Sequence, residues 1–178
     1  MVSRAPHQRH GLPRTGGTAR AIATYLVSVR PLLQEITEAR RAFIRHIGLL
    51  MEEARHAGRQ VVVQAAGRIG RDEGAGFRSL RAQLERMEPP GACEAAQAAI
   101  TKWINLHLAA CDVMVDVGLS GDLGRLRETQ RMLAEARIHA QTFNAEYNRL
   151  VSDLRRRVSM ANDGRGRTGR RNRAPSGR

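Results

Sequence analysis

The chain is short of the residues that most often announce chemistry. It has two cysteines, one tryptophan and only five further aromatic residues. Of its 30 basic side chains a single one, Lys102, is a lysine. Each scarcity excludes something. Cys93 and Cys111 fall on one predicted helix, so their separation of 18 positions places their Cα atoms about 27 Å apart. A disulfide needs them within about 7 Å. Both read as small core residues. Tyr25, Phe43, Phe77, Trp103, Phe143 and Tyr147 all lie inside predicted helices. None stands in a terminus, so the termini carry no stacking platform for single-stranded nucleic acid. No run is long and clean enough for a membrane-spanning helix, because residues 103–117 contain His107, Asp112 and Asp116. The first apolar patch, residues 21–29, is short, follows a polar leader and lacks a cleavage site. No secretory signal is read, and a cytoplasmic location is the expectation. There is no helix-turn-helix, zinc or RNA-module signature. No nucleophile–base or metal constellation can be assembled, so an enzyme is the least expected class and no cofactor is expected.

What is present is helical periodicity. At 178 residues the chain is one domain by length, large enough to bury a core without staples. The organising stretch is residues 91–119. It carries only Glu94, Lys102, Asp112 and Asp116 as charges. Cys93, Ala96, Ile100, Trp103, His107, Ala110, Met114 and Val117 recur at alternating steps of three and four, the spacing of one helix face. Ala99, Leu106 and Val113 widen the stripe on one side; Ile104, Leu108, Cys111 and Val115 widen it on the other. A helix so widely apolar needs neighbours on more than one side.

Three further helices can supply them. The first is expected over residues 18–57, with Thr18 as N-cap. Its heptad seam is Ile22, Leu26, Val29, Leu33, Ile36, Phe43, Ile47, Leu50 and Ala54, broken only by Arg40. Pro31 predicts a kink or a fresh start. Gly58 marks its end. The second is expected over 59–87, with Val62, Ala66, Ile69, Leu80, Leu84 and Met87 facing inward. Gly67, Gly70, Gly74 and Gly76 weaken its middle by about 1 kcal/mol each against Ala, so residues 70–76 are a break, a bend or a close-packing site. Glu88-Pro89-Pro90-Gly91 punctuates the chain before the third helix, over 91–119. The fourth is expected over 121–159, capped by Ser120 or Asp122. Its seam is Leu126, Leu133, Ala140, Tyr147, Val151, Leu154 and Val158, flanked by Leu123, Phe143 and Leu150 and interrupted by Gln130, Arg137 and Asn144. The short connections predict an all-α, antiparallel, up-down-up-down four-helix bundle over 18–160, with disordered basic tails at 1–17 and 161–178. Both tails then leave from one pole, where the longer outer helices project by roughly 13 Å.

Charge is the most informative quantity. The chain totals +13. Residues 1–20 hold Arg4, Arg9, Arg14 and Arg20 and no acid. Residues 155–178 hold nine arginines against Asp163 alone. The remainder is nearly neutral. Basic ends favour polyanions, and arginine pairs bidentately with phosphate. Arg155, Arg156, Arg157, Arg165, Arg167, Arg170, Arg171 and Arg173 are therefore the candidate polyanion-binding residues.

Other constellations are weaker. Glu53 and His56 have the E-x-x-H spacing of di-iron bundles, but Glu135 and His139 are one residue too wide to complete the set. His107 is a single histidine on an apolar face and reads as a hydrogen-bonded core residue. Asp112 and Asp116 share a face near a helix end and read as solvated. Ser159 follows Arg156-Arg157-Val158 and fits a basophilic kinase site, a match that arises easily beside so much arginine. Leu12-Pro13-Arg14-Thr15-Gly16 resembles the L-P-x-T-G signal of sortase substrates. That signal precedes a hydrophobic segment and a basic tail, whereas a whole domain follows here, so the match is read as coincidence.

Three functions fit this pattern. The first is a non-enzymatic helical scaffold or adaptor that binds another protein or itself. Arg40, Gln130 and Arg137 on otherwise apolar seams point to stripes that partner helices could cover. The second is an accessory polyanion binder, nucleic acid foremost. The third is a small-molecule bundle with Trp103 and His107 lining a pocket.

Overall fold

The computed structural model describes the backbone of residues 15–168 and the side chains of residues 18–160. Four helices carry the described chain: α1 (Thr15–Glu53), α2 (Arg59–Glu85), α3 (Glu94–Ser120) and α4 (Leu126–Thr168). Short 3-10 turns, Gly91–Cys93 and Leu123–Arg125, lead into α3 and α4.

Side-chain contacts fix the directions. Phe43 meets Phe77 edge-on at 6.0 Å, and His46 meets Glu73, so α1 and α2 are antiparallel. Arg59 donates to the Gly121 carbonyl at 2.8 Å, which sets the start of α2 beside the end of α3. Arg125 pairs with Asp116 at 3.0 Å, and Thr129 lies against the Ala110 carbonyl, so α4 runs back along α3. The result is the up-down-up-down bundle.

Helix α3 is its centre. All eight residues of the stripe from Cys93 to Val117 are buried, and so are Ala99, Ile104, Leu108, Cys111 and Val113 on its flanks. It packs along its whole length against α2 on one side and α4 on the other. Helix α1 covers the third side. Tyr25 on α1 donates to Gln97 on α3 at 3.1 Å, and Gln97 in turn donates to the Met87 carbonyl at 3.1 Å. Contact between α1 and α4 is sparse.

The α2–α3 approach is close because glycines allow it. A Cβ added at Gly70 would stand 2.5 Å from the Cys111 carbonyl oxygen and 2.8 Å from the Val115 nitrogen. One added at Gly118 would stand 2.5 Å from the Gly67 Cα. The glycine-rich middle of α2 is thus a close-packing site and the helix is unbroken through it.

Heptad rows organise the outer helices. In α1 the row Ile22, Val29, Ile36, Phe43 and Leu50 is buried throughout, while Leu33 and Ile47 are half-buried. Tyr25 and Leu32 join this core; Ala54 lies outside it, exposed in the turn. In α4 the deepest row is Thr129, Ala136, Phe143 and Leu150, with Leu126, Leu133, Ala140, Tyr147 and Leu154 half-buried beside it. The sequence reading centred this face on the larger side chains and passed over the small Thr129 and Ala136. Gln130, Arg137 and Asn144 therefore interrupt nothing: all three are exposed, one step off the seam. Val158, expected on the seam, is exposed as well.

Several boundaries move. Thr18 is not a cap, because α1 begins at Thr15. It ends at Glu53 rather than 57, since residues 54–57 form the turn that reverses the chain before Gly58 takes an extended conformation. Pro31 neither starts nor interrupts α1. Its ring is exposed, and the lost bond falls on the solvent-side carbonyl of Val27, while buried Val29 and Leu32 hold the helix in place. Gly121 ends α3 in the left-handed region (φ 74°), its N–H on the Val117 carbonyl at 2.9 Å. Asp122 caps the turn into α4 by accepting from the Gly124 N–H at 3.0 Å. The largest correction is at the C-terminal boundary, where α4 continues through residues 160–168 instead of ending at 159. Residues 1–14 and 169–178 of the expected tails lie outside the described residues.

Gly70→Ala should destabilise the protein by about 3 kcal/mol, the upper range for forcing a methyl group into a packed interior. Gly76→Ala, on the same helix but with nothing within 4 Å of the added atom, should stabilise it by up to about 1 kcal/mol. Urea unfolding of the two variants checks both; equal effects would refute the close-packing assignment.

Candidate functional site

The basic pole is built by α4 outrunning the bundle. Leu150 is the last buried residue of α4 among the described side chains, and Val151 and Leu154 are half-buried. Arg155 to Met160 are then all exposed. Six consecutive residues sweep more than a full helical turn, so no face of this segment is covered. Arg155, Arg156 and Arg157 stand on it. Arg156 pairs with Asp153, whose carboxyl the arginines hold below its usual range, Arg156 foremost. Arg155 and Arg157 make no ion pair among the described residues. Further in, Arg149 spans Glu146 at 2.7 Å and Asp153 at 3.5 Å. Arg165 and Arg167 fall on the continuing helix, and Arg170, Arg171 and Arg173 lie outside the described residues. Ser159 is exposed on the same segment. The backbone thus joins five of the eight candidate arginines on one helical extension, which the sequence reading had divided between helix and tail.

The second site is the polar centre of the core. His107 is fully buried, its ring 4.9 Å from Phe77 and 6.4 Å from Phe43. Its Nδ1 lies 2.8 Å from the Trp103 carbonyl. A carbonyl only accepts, so Nδ1 carries the proton and Nε2 is a bare acceptor. Neither Nε2 nor the buried Trp103 Nε1–H has a partner. Each such orphan costs about 1–3 kcal/mol. Burial pushes the His107 pKa below its ordinary 6.5, and the ring is neutral. Both thiols are equally withdrawn. Cys93 and Cys111 are fully buried, and burial raises both, Cys111 to about 12.

Two clefts open between the helices. One, of about 310 Å³ between the end of α1 and the first half of α2, is lined by apolar Leu49, Leu50, Ala65 and Ile69. His46, Glu53, Arg68, Asp72 and Glu73 also line it. His46 Nδ1 and Glu73 Oε1 are 2.6 Å apart. No hydroxyl or thiol lines this cleft, so the pair has no nucleophile to activate there. The other, of about 330 Å³, opens where α1 and α4 are poorly packed. Arg30, Leu33 and Thr37 of α1, Trp103 of α3, and Ala140, Phe143, Asn144 and Tyr147 of α4 line it. Trp103 thus meets a pocket as expected, but His107 does not, because it is sealed deeper between Phe43 and Phe77.

The remaining candidates are dispersed. Glu53 and His56 are exposed, with His56 in the turn beyond α1. Asp112 and Asp116 are exposed, and Asp116 is taken by Arg125. Among the described residues no group of three or more His, Cys, Asp or Glu could hold a metal, and no helix is long and apolar enough to cross a membrane. The sequence reading missed the His46–Glu73 pair. The two lie 27 residues apart on different helices, and only the α1–α2 hairpin register could have brought them together. No family model, curated protein or solved structure matches the chain.

Burial makes two measurable predictions. Iodoacetamide at mildly alkaline pH should label neither Cys93 nor Cys111 in the folded protein and both in strong denaturant, as mass spectrometry would show. His107 is held neutral in the fold but takes a proton when unfolded. Its share of stability is therefore lost as pH falls through the unfolded value of about 6.5, at up to about 1.4 kcal/mol per pH unit. His107→Leu should lose less stability than the wild type between about pH 7 and about pH 5.5, on the same linkage. Urea midpoints at the two pH values test this, and identical pH dependence would remove His107 from the account.

Proposed function

We propose that the chain is a non-enzymatic interaction protein that binds polyanions, nucleic acid foremost, through the basic end of α4. The observation that carries this reading is the run of exposed residues from Arg155 to Met160 on a helix that has left the core. A single helix fits the major groove of duplex DNA, about 12 Å wide. Arginines on it reach phosphates without the loss of any buried contact. The surrounding acids are already engaged by Arg149 and Arg156, so Arg155 and Arg157 meet an incoming phosphate without a competing partner among the described residues. Such binding would be governed by counterion release, with little sequence preference.

A protein partner, or a second copy of the chain, is the second reading. It is favoured by the opposite pole, where Leu49, Met51, Val61 and Leu119 are exposed at the ends of α1 and α3 and the start of α2. The seam of α4 presents no open apolar stripe to such a partner at Gln130 and Arg137, because both sit off that seam.

Replacing Arg155, Arg156 and Arg157 together by Gln in the full chain should weaken binding to labelled duplex DNA and to heparin. The slope of log affinity against log salt should shrink by about 2, at roughly 0.9 per phosphate contact for Arg155 and Arg157, which make no ion pair among the described residues. Helicity and melting temperature should not change, because all three side chains are exposed. An unaltered slope would exclude Arg155, Arg156 and Arg157 as the polyanion site.

A further inference from the structure

The loosely packed edge of the bundle holds a cleft lined by aromatic side chains. Helices α1 and α4 touch little, and the gap between them holds the cleft of about 330 Å³. That volume is at the lower end of the range for small-molecule sites, about 300–1,000 Å³. Three of the chain's six aromatic residues line it. Phe143 and Tyr147 stand 5.8 Å apart at 47°, and Trp103, 6 % exposed, belongs to the same wall. Trp103 also keeps an indole N–H without a hydrogen-bond partner. Its one charged group is the Arg30 guanidinium, beside the polar side chains of Thr37, Asn144 and Tyr147. Arg30 makes no ion pair among the described residues, and Asn144 makes no side-chain hydrogen bond among them. No carboxylate lines the cleft. Apolar aromatic walls with one uncommitted guanidinium favour a flat, anionic ligand, whose ring packs on the walls and whose charge meets Arg30. We propose that the cleft between α1 and α4 is a binding site for a small aromatic acid, of one or two rings, carrying a carboxylate or a comparable anionic group.

Trp103 is the chain's single tryptophan, and it lines this cleft, so its fluorescence is a probe of a ligand bound there. The probe is 4-nitrobenzoate, a quencher, with neutral 4-nitrobenzamide as its isostere. The full chain should show saturable quenching by the acid and at least tenfold weaker quenching by the amide. Arg30→Gln, an exposed position whose change leaves the core intact, should weaken the acid at least tenfold and leave the amide unaffected. Ala140→Phe should fill the cleft and abolish saturation for both, with helicity retained. The Arg155, Arg156 and Arg157 to Gln variant should quench like the wild type, which separates this site from the basic pole. Quenching that rises linearly without saturation overturns the proposal. So does saturation that survives Arg30→Gln unchanged, because the ligand would then not be recognised as an anion. If Ala140→Phe fails to fold, the Arg30→Gln and amide comparisons still decide the outcome.

Discussion

The bundle depends on how closely α2 approaches α3. At Gly70 and Gly118 the two backbones come so near that no methyl group fits between them. That approach lets α3 bury one side against α2 without large side chains, and its other sides are then closed by α4 and α1. A middle helix apolar over so much of its surface is tolerable only under this coverage. The same geometry explains an apparent conflict in α2. Glycine costs about 1 kcal/mol per position in a helix, yet the middle of α2 has four within ten residues. Gly67 and Gly70 are repaid by contact with α3, and Gly74 is buried against Cys111. Gly76, with open space around it, receives nothing in return.

Tight packing on one edge leaves a loose one opposite. Helix α1 is tied down at the Tyr25–Gln97 bond near one pole and by Phe43 against Phe77 and His107 further along. Between those ties it stands away from α4. The aromatic side chains that would have filled a tighter bundle line an open cleft instead. Charge is distributed by a different rule. Within the bundle some arginines pair with acids three or four positions away, as Arg149 does with Glu146 and Asp153, while others, Arg30 among them, make no ion pair among the described residues. The excess of arginine over acid begins beyond Asp153, where the core ends.

Much of this was legible in the sequence because α3 wrote its role in large letters: every residue of the Cys93–Val117 stripe is buried. The heptad row of α1 could be read for the same reason. The seam of α4 was misplaced by one position, because Thr129 and Ala136 carry little hydrophobic signal although they sit deepest. Pro31 misled because propensity arguments treat proline without its neighbours, and buried Val29 and Leu32 outweigh one lost bond on the solvent side. The arginines of the pole were visible from composition alone. That three of them stand on a helix exposed on every face was not, since helix length past the last apolar residue leaves no periodic trace. The cleft was only half legible. Trp103 could be named, but Arg30 and Tyr147 reach it through tertiary register.

The core holds the groups that usually do chemistry, and it disables them. His107 is neutral, sealed between phenylalanines, with its proton committed to the Trp103 carbonyl. Both thiols are buried, with their pKa values raised. Two unpartnered polar atoms, on Trp103 and His107, lie one helical turn apart in the same layer. A core selected for stability alone would place Phe and Leu there, avoiding about 1–3 kcal/mol for each orphan. The chemistry of these core groups is thus closed to a partner, while the described surface offers shape and charge. The basic extension of α4 offers a point of attachment at one pole, and the aromatic cleft offers a recess along the loose edge.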